Sequence, residues 1–167
     1  MTLQPSLERH DCQMLGREFQ YVGKLEPVGI IIDYLNDLDR ITYPLFDVQV
    51  HRLIPGGSFP GVTRPEITVA RSEVGLLYLP DPEYRSKIQV IKNSERVIVY
   101  TPHVVCRGNF HLGAETRLRD LLSLMTGVFL VMTDASVFPL STLPAPFPQK
   151  ADLLILNRDY VTAYHPD

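Results

Sequence analysis

Three residues with metal-binding or nucleophilic side chains lie close together in the second half of the sequence. They are His103, Cys106 and His111, and imidazole and thiolate are common ligands of zinc. In a strand, side chains alternate between faces, so Cys106 would face away from both histidines. No third orienting group accompanies Cys106 and His103 for nucleophilic catalysis. The spacing therefore predicts no metal and no cofactor, and a packed core thiol at Cys106.

Three polar positions recur 87 residues apart and are the other candidates for chemistry. They are Asp33 with Asp120, Asp47 with Asp134, and Arg71 with Arg158. One hypothesis is a ligand site in each half. The other is structural: the aspartate near a helix and the arginine at the last turn form a buried or half-buried ion pair that fixes the helix to a barrel. We favour the structural hypothesis, because contacts that hold a fold must survive in both copies of a duplicated unit.

The segments around these residues predict a short helix followed by a bent strand in each half. Apolar residues at positions 31, 34, 35 and 38 form a helical stripe, and positions 118, 121, 122 and 125 repeat it. Apolar residues then alternate at 41, 43 and 45, and at 128, 130 and 132, as in a half-buried strand. The alternation slips by one residue at Asp47 and at Asp134, which predicts a β-bulge or bend.

The remaining segments complete a five-stranded pattern that occurs twice. Each half has a first strand, a second strand that contains a glycine, the helix, the bent strand, a Pro-rich loop and two strands joined by a tight turn. A compact five-stranded half hides its edges by curling into a barrel or by pairing with its neighbour. We predict a mainly β fold with short helices: two tandem five-stranded barrels, in residues 1–84 and 85–167, each with a helix between its second and third strands.

This order resembles that of the Sm-like (LSm) barrel family. The third strands, "YPLFDVQV" and "LVMTDASV", place an acidic residue after apolar ones, and "ITVARSEVGLLYLP" and "LLILNRDYVTAYHP" resemble the closing strand pair. The chain departs from the family where a helix replaces the base-binding loop and where the Arg-Gly turn reads Arg71-Ser72 and Arg158-Asp159. The resemblance implies the barrel fold, and the departures disfavour RNA binding. Helix-containing variants of this kind also resemble bacterial domains of unknown function.

A Pro-rich loop in the second half is the candidate contact with a partner. Its residues are Pro144, Pro146, Phe147 and Pro148. One interpretation is an extended polyproline segment that docks in an aromatic groove of another protein. The alternative is a stiff connector between two strands, with Phe147 covering the end of the chain's own barrel.

Composition and charge indicate a folded protein with few candidate activities. The 167 residues are 45% apolar and 21% charged, and the net charge of −3 with scattered Lys and Arg argues against binding to DNA. The sequence contains no GxxxxGK[ST], GxGxxG, HExxH or GxSxG motif. The first residues do not read as a signal peptide, and "GVFLVM" is too short to span a membrane. Two cysteines without CxxC spacing indicate reduced thiols in the cytoplasm.

The sequence therefore predicts a non-enzymatic cytoplasmic interaction or scaffold module. Its expected partner is a protein or a second copy of the chain, bound through exposed strand edges. The alternatives are an RNA-binding Sm-like protein and a small-molecule sensor that uses the cleft between the halves. No membrane and no DNA are expected as partners.

Overall fold

Residues 7–167, described in a computed structural model, form ten antiparallel strands with a few short helices. The strands of the first half are β1 (His10–Gly16), β2 (Phe19–Leu25), β3 (Thr42–Arg52), β4 (Val62–Ala70) and β5 (Val74–Tyr78). Those of the second half are β6 (Ser94–Tyr100), β7 (Val104–His111), β8 (Phe129–Pro139), β9 (Lys150–Asn157) and β10 (Ala163–Pro166). The α-helices are α1 (Ile31–Asn36), α2 (Pro82–Ser86) and α3 (Leu121–Leu124). The mainly β class agrees with the prediction.

All ten strands belong to one open sheet in the order β10-β6-β7-β8-β9-β5-β1-β2-β3-β4. The halves join where β5 pairs with β9, with Leu76 opposite Leu156 and Leu77 opposite Ile155. The prediction of two closed barrels, and with it the Sm-like assignment, is therefore wrong. The inner edges are satisfied by pairing between the halves instead of by closure of each half on itself.

Side chains from both halves fill two apolar cores on opposite faces of this sheet. Along β5, Leu77 faces the first core, which also contains α1, and Leu76 faces the second. Along β9, Ile155 faces the first core and Leu156 the second. Because successive side chains of a strand point to opposite faces, the strands at the junction are buried on both sides.

Both halves arrange their strands in the same order when the strands are matched along the chain. The pairing agrees residue by residue: Met14 lies opposite Leu77, and Val99 lies opposite Tyr164. Residues 87 positions apart, or 85 apart in the first two strands of each half, hold the same place in the pairing. We call these corresponding positions.

The predicted slip in the bent strands is confirmed. Pairing shifts opposite Gly23 in β2 and opposite Gly108 in β7, and Asp47 and Asp134 adopt φ angles of 49° and 48°. A Cβ atom at either glycine would lie 2.9 Å from a backbone carbonyl oxygen of the facing strand. The close approach at the bulge therefore requires glycine at both positions.

The helices are shorter than the apolar stripes predict. In the first half, α1 ends at Asn36, because Asp37 is extended and turns the chain towards β3. In the second half a 3₁₀ turn, Leu118–Asp120, precedes the four residues of α3. Leu38, expected on the buried face of the first helix, is exposed as a result. Ile41, expected in the half-buried strand, is also exposed. Among the described residues, no helix is long and apolar enough to cross a membrane.

Candidate functional site at the two sheet edges

The two recurring arginines bind the backbone at the ends of the helices. The Arg71 guanidinium donates to the carbonyl oxygens of Asp37, Leu38 and Arg40 at 3.1–3.5 Å. The Arg158 guanidinium donates to the carbonyl oxygen of Met125 at 3.0 Å. Each arginine thus binds carbonyl groups at and just beyond the C-terminal end of a short helix.

The helix aspartates are not brought to these arginines. Asp33 is exposed on α1, and Asp120 is half-buried and lies 3.9 Å from Arg119. No ion pair joins Asp33 to Arg71 or Asp120 to Arg158 anywhere in residues 7–167. The helix ends meet the guanidinium groups through neutral carbonyl oxygens, so these arginines bind the helices without either carboxylate.

The strand aspartates occupy the two bulges and are exposed. Asp134 forms an ion pair with Arg96 at 3.0 Å, and Arg96 also lies 3.5 Å from Asp167. Asp47 has no such neighbour in the described part of the chain. What the two aspartates share is therefore a left-handed backbone, which Asp tolerates better than most residues.

The histidines and the cysteine near β7 point to separate environments. His103 Nε2 lies 2.7 Å from the Arg17 carbonyl oxygen, and His111 Nε2 lies 2.7 Å from Thr133 Oγ1. Cys106 is fully buried in the second core, and this burial raises the pKa of its thiol to about 12. A thiol held in its neutral form is a poor nucleophile and a poor metal ligand. Within residues 7–167 no group of three His, Cys, Asp or Glu side chains converges as a metal site.

The Pro-rich loop is docked on the chain's own first half. Gln20 is fully buried; its amide nitrogen donates to the Ala145 carbonyl at 3.0 Å, and its oxygen accepts from the Ala145 N–H at 3.1 Å. Phe147 is half-buried against Tyr78, with ring centroids 6.4 Å apart. Pro144 and Pro146 are exposed, and Pro148 is half-buried.

A second polar contact joins the halves at α1. The Asn36 side-chain oxygen accepts from the N–H groups of Val128 and Phe129 at 2.9 and 2.7 Å, and its amide nitrogen donates to the Phe129 carbonyl at 3.0 Å. The sequence pattern gave no sign of this role, since Asn36 sits at the end of a six-residue helix among polar residues. Gln20, between Phe19 and Tyr21 in β2, also gave no sign in the sequence of its contact with the Pro-rich loop.

The free edge of β4 has two chemically different parts. Near its start, β4 carries Arg64, Pro65 and Glu66, which discourage pairing with another strand. Its last four residues, 67–70, are uncharged and pair with β3 alone among the described strands. Exposed Ile41 flanks this end, because the Arg71 N–H donates to its carbonyl oxygen at 2.8 Å. This stretch of β4 is an open strand edge with an apolar neighbour.

The opposite end of the sheet is formed by β10. It pairs with β6 over Ala163–Pro166 and has no other neighbouring strand within residues 7–167. Exposed apolar side chains of the same half include Tyr100 in β6, the strand next to β10, with Phe138 in β8 and Leu140 just beyond β8. The free edges of β4 and β10, each with an exposed apolar side chain beside it, are therefore the candidate binding surfaces.

A cleft of about 410 Å³ lies between the halves. It is lined by Ile32 and Asn36 of α1, Ile91 of the connecting segment, and Leu121 and Leu124 of the second half. Its walls are largely apolar, and the Asn36 amide is already engaged by the backbone of β8.

No family model, curated protein or solved structure matches this chain.

Proposed function

We propose that this chain is a non-enzymatic interaction or scaffold module that binds another polypeptide by adding a strand to a free edge of its sheet. The observation that carries the proposal is the uncharged end of β4, residues 67–70, with Ile41 exposed beside it. Strand addition at such an edge supplies backbone hydrogen bonds for affinity, and side chains on alternate faces give selectivity. A partner protein and a second copy of the chain both fit this mode of binding.

We further propose that the fold is a duplicated unit. Support comes from the identical strand order of the halves, the glycine-facing bulges in β3 and β8, and the helix-end contacts of Arg71 and Arg158. In this proposal residues 1–84 and 85–167 are two copies that have fused by pairing their inner edges. The outer edges are then what remains for partners.

The cellular setting of the module is proposed to be the cytoplasm. Cys12 and Cys106 are both free and buried, as expected of thiols in a reducing compartment. The proposal of a non-enzymatic role draws support from the buried side chain of Cys106 and from the separation of His103 and His111.

Capture of bound polypeptides from a lysate of the native host tests the edge. The bait is the tagged chain, compared with Thr68→Arg, which places a charge on the open end of β4, and with Ile30→Lys as a control on an exposed apolar side chain at the start of α1. We expect polypeptides that stay bound after RNase treatment, are retained by the control and are lost with Thr68→Arg. Loss of every bound polypeptide on RNase treatment would instead favour the RNA-binding alternative.

A small-molecule sensor is the second candidate function, and the apolar cleft between the halves favours it. A ligand that binds only the folded state raises the melting temperature by mass action. A thermal-shift screen of apolar metabolites is therefore the test. The shift caused by any hit is expected to disappear in Leu124→Lys, which places a charge in the cleft.

A further inference from the structure

β5 and β9 pair with each other at the internal junction between the halves. The strands at the corresponding positions, which form the two ends of the sheet, have no such partner among the described residues. The position that corresponds to β5 is β10, and the position that corresponds to β9 is β4. Both strands pair on one side alone within residues 7–167. Each chain thus contains one formed junction, between β5 and β9, and two free edges that could form an equivalent junction with each other's counterpart in another copy.

Exposed apolar residues mark the β4 side of this missing junction. Val128, just before β8, is 6% exposed because the first half covers it, whereas Ile41 at the corresponding position is 66% exposed. Ile155 is buried at the junction, and the corresponding Thr68 is exposed on β4. At Ile41 the uncovered surface therefore keeps an apolar residue where the covered one has an apolar contact, whereas Thr68 replaces the apolar residue with an uncharged polar one.

The β10 side shows the same relation. Leu15 and Leu53 belong to the first half, yet they are 0% and 2% exposed because they pack into the second core. Their corresponding residues are Tyr100 and Leu140, which are 39% and 61% exposed. The backbone contacts also correspond, since the Leu53 N–H donates to Glu18 and the Leu140 N–H donates to His103. The β10 side therefore has the same local structure as the covered surface of the first half, but no strand within residues 7–167 covers it.

We propose that the partner at these edges is a second copy of this chain, bound head to tail. In this arrangement β10 of one copy pairs antiparallel with β4 of the next, an inference that rests on the proposed function of the edges. The register of the internal junction transfers directly and places Ala163 opposite Val69 and Tyr164 opposite Thr68. The charged and proline-bearing part of β4 lies outside this register, so it limits pairing to the uncharged end.

Such an interface joins two different surfaces and therefore repeats from copy to copy. A heterologous interface generates a closed ring when its rotation closes, and an open filament when it does not. The internal junction is already of this heterologous kind, because it joins β5 of one half to β9 of the other within one chain. Each added copy would extend the sheet by ten strands.

Light scattering of the purified chain, coupled to size-exclusion chromatography over a wide range of concentration, gives the first test. We expect a mass that is a multiple of the 19.0 kDa chain. Ile41→Lys on the β4 side and Leu140→Lys on the β10 side should each reduce the mass to one chain, since both place a charge in an apolar contact. Ile30→Lys is the matched control and should assemble like the wild type, because Ile30 corresponds to the exposed Arg117.

Mixing the two blocked variants tests the head-to-tail geometry itself. The Ile41→Lys chain retains an intact β10 side, and the Leu140→Lys chain retains an intact β4 side. We expect a one-to-one complex with twice the mass of one chain and no further growth. A mixture that stays at the mass of one chain while the wild type assembles would overturn the head-to-tail geometry. A dimer formed by either blocked variant alone would indicate pairing between like surfaces instead.

Two further controls distinguish loss of assembly from loss of folding. Circular dichroism checks that the variants are folded, and Thr68→Arg is a second block on the β4 side should Ile41→Lys misfold. A wild type at the mass of one chain throughout, or loss of assembly in Ile30→Lys, overturns the proposal. If self-pairing fails in this way while lysate capture still depends on Thr68, the edge binds another polypeptide and the proposed function stands. If both experiments fail, the proposed function fails with the inference.

Discussion

At the scale of single residues, the strongest constraints are on backbone conformation and burial. Asp47 and Asp134 adopt left-handed φ angles opposite glycines, and the two cysteines are buried thiols. Neither thiol combines exposure with a neighbouring base or cation, as a reactive cysteine requires. The two aspartates instead mark the bulges of the bent strands, and the two cysteines are part of the two apolar cores.

The bulge predicts an uncommon response to substitution at Asp47. Asp47→Gly is expected to leave the free energy of unfolding unchanged or raise it slightly, because glycine adopts positive φ without a steric cost. Asp47→Val should lower it by about 1–2 kcal/mol, the cost of a left-handed conformation for a residue with a bulky Cβ. Urea denaturation measures both. A valine variant as stable as the wild type would show that the bulge relaxes. Asp134→Gly is the comparison, since it also loses the exposed ion pair with Arg96.

The buried thiols predict a loss of stability at alkaline pH. Burial raises the pKa of Cys106 to about 12, and burial together with the nearby charge of Asp11 does the same for Cys12, both from an ordinary value of 9.0. A folded-state pKa above the unfolded value contributes stability that is complete below the unfolded pKa and is lost as pH rises towards the folded one. The free energy of unfolding should therefore fall from about pH 9 upwards.

Comparison of the wild type with a Cys12→Ala/Cys106→Ala variant checks this loss. The double variant should decline less steeply with pH, because neither thiol is left to ionise on unfolding. Burial raises the pKa of Tyr43 to about 12 as well, so part of the decline should remain. Equal slopes in the two proteins would mean that the thiols do not control the alkaline limit.

At the scale of elements, side chains bind backbone groups that loops and short helices leave open. Arg71 and Arg158 do this at the helix ends, Asn36 at the start of β8, and Gln20 at the Pro-rich loop. Gln20 imitates a strand neighbour for Ala145, whose N–H and carbonyl have no ladder partner in that loop. Of these contacts, those of Gln20 and Asn36 also connect the two halves outside the strand pairing.

Gln20→Ala tests this contact between strand and loop. Truncation leaves the buried N–H and carbonyl of Ala145 without partners, which should lower the free energy of unfolding by about 1–3 kcal/mol. Gln49→Ala is the matched control on the neighbouring strand; its side chain is exposed, so a change within about 0.5 kcal/mol is expected. Chemical denaturation of both variants gives the comparison. Equal losses would show that the loop is held by its apolar contacts alone.

At the scale of the whole molecule, the shared cores make the two halves one cooperative unit. Leu15, Leu53 and Leu76 of the first half pack into the second core, and Phe129 and Ile155 of the second half pack into the first. Neither half therefore buries its own apolar surface without the other. We expect a single unfolding transition in calorimetry, with equal calorimetric and van't Hoff enthalpies.

Leu76→Ala, a substitution at the β5–β9 junction, is a second test of whether the two halves unfold together. Removal of this fully buried side chain should lower the free energy of unfolding by about 2–5 kcal/mol. The variant should still unfold in one step, at a lower temperature. Two resolved transitions, in the wild type or in the variant, would show that residues 1–84 and 85–167 are independent domains.

Much of the local structure followed from the sequence alone, because it depends on neighbours along the chain. Period-two and helical apolar patterns predicted the bent strands and the position of a helix between the second and third strands of each half, and the slips at Asp47 and Asp134 predicted the bulges. Glycines 23 and 108 indicated the close approach of backbones that occurs there. Backbone sterics and side-chain alternation act within a few residues, so a single sequence records them.

The sheet as a whole was decided by tertiary contacts. Whether a five-stranded half closes on itself or pairs with its neighbour depends on which edges meet, and both outcomes satisfy the same local pattern. For the same reason Leu53 and Leu140 are identical residues at corresponding positions, yet one is buried and the other is exposed. The sequence by itself determined two similar sets of strands. Only the pairing of β5 with β9 decided that they share one sheet, and which two edges remain open to a partner.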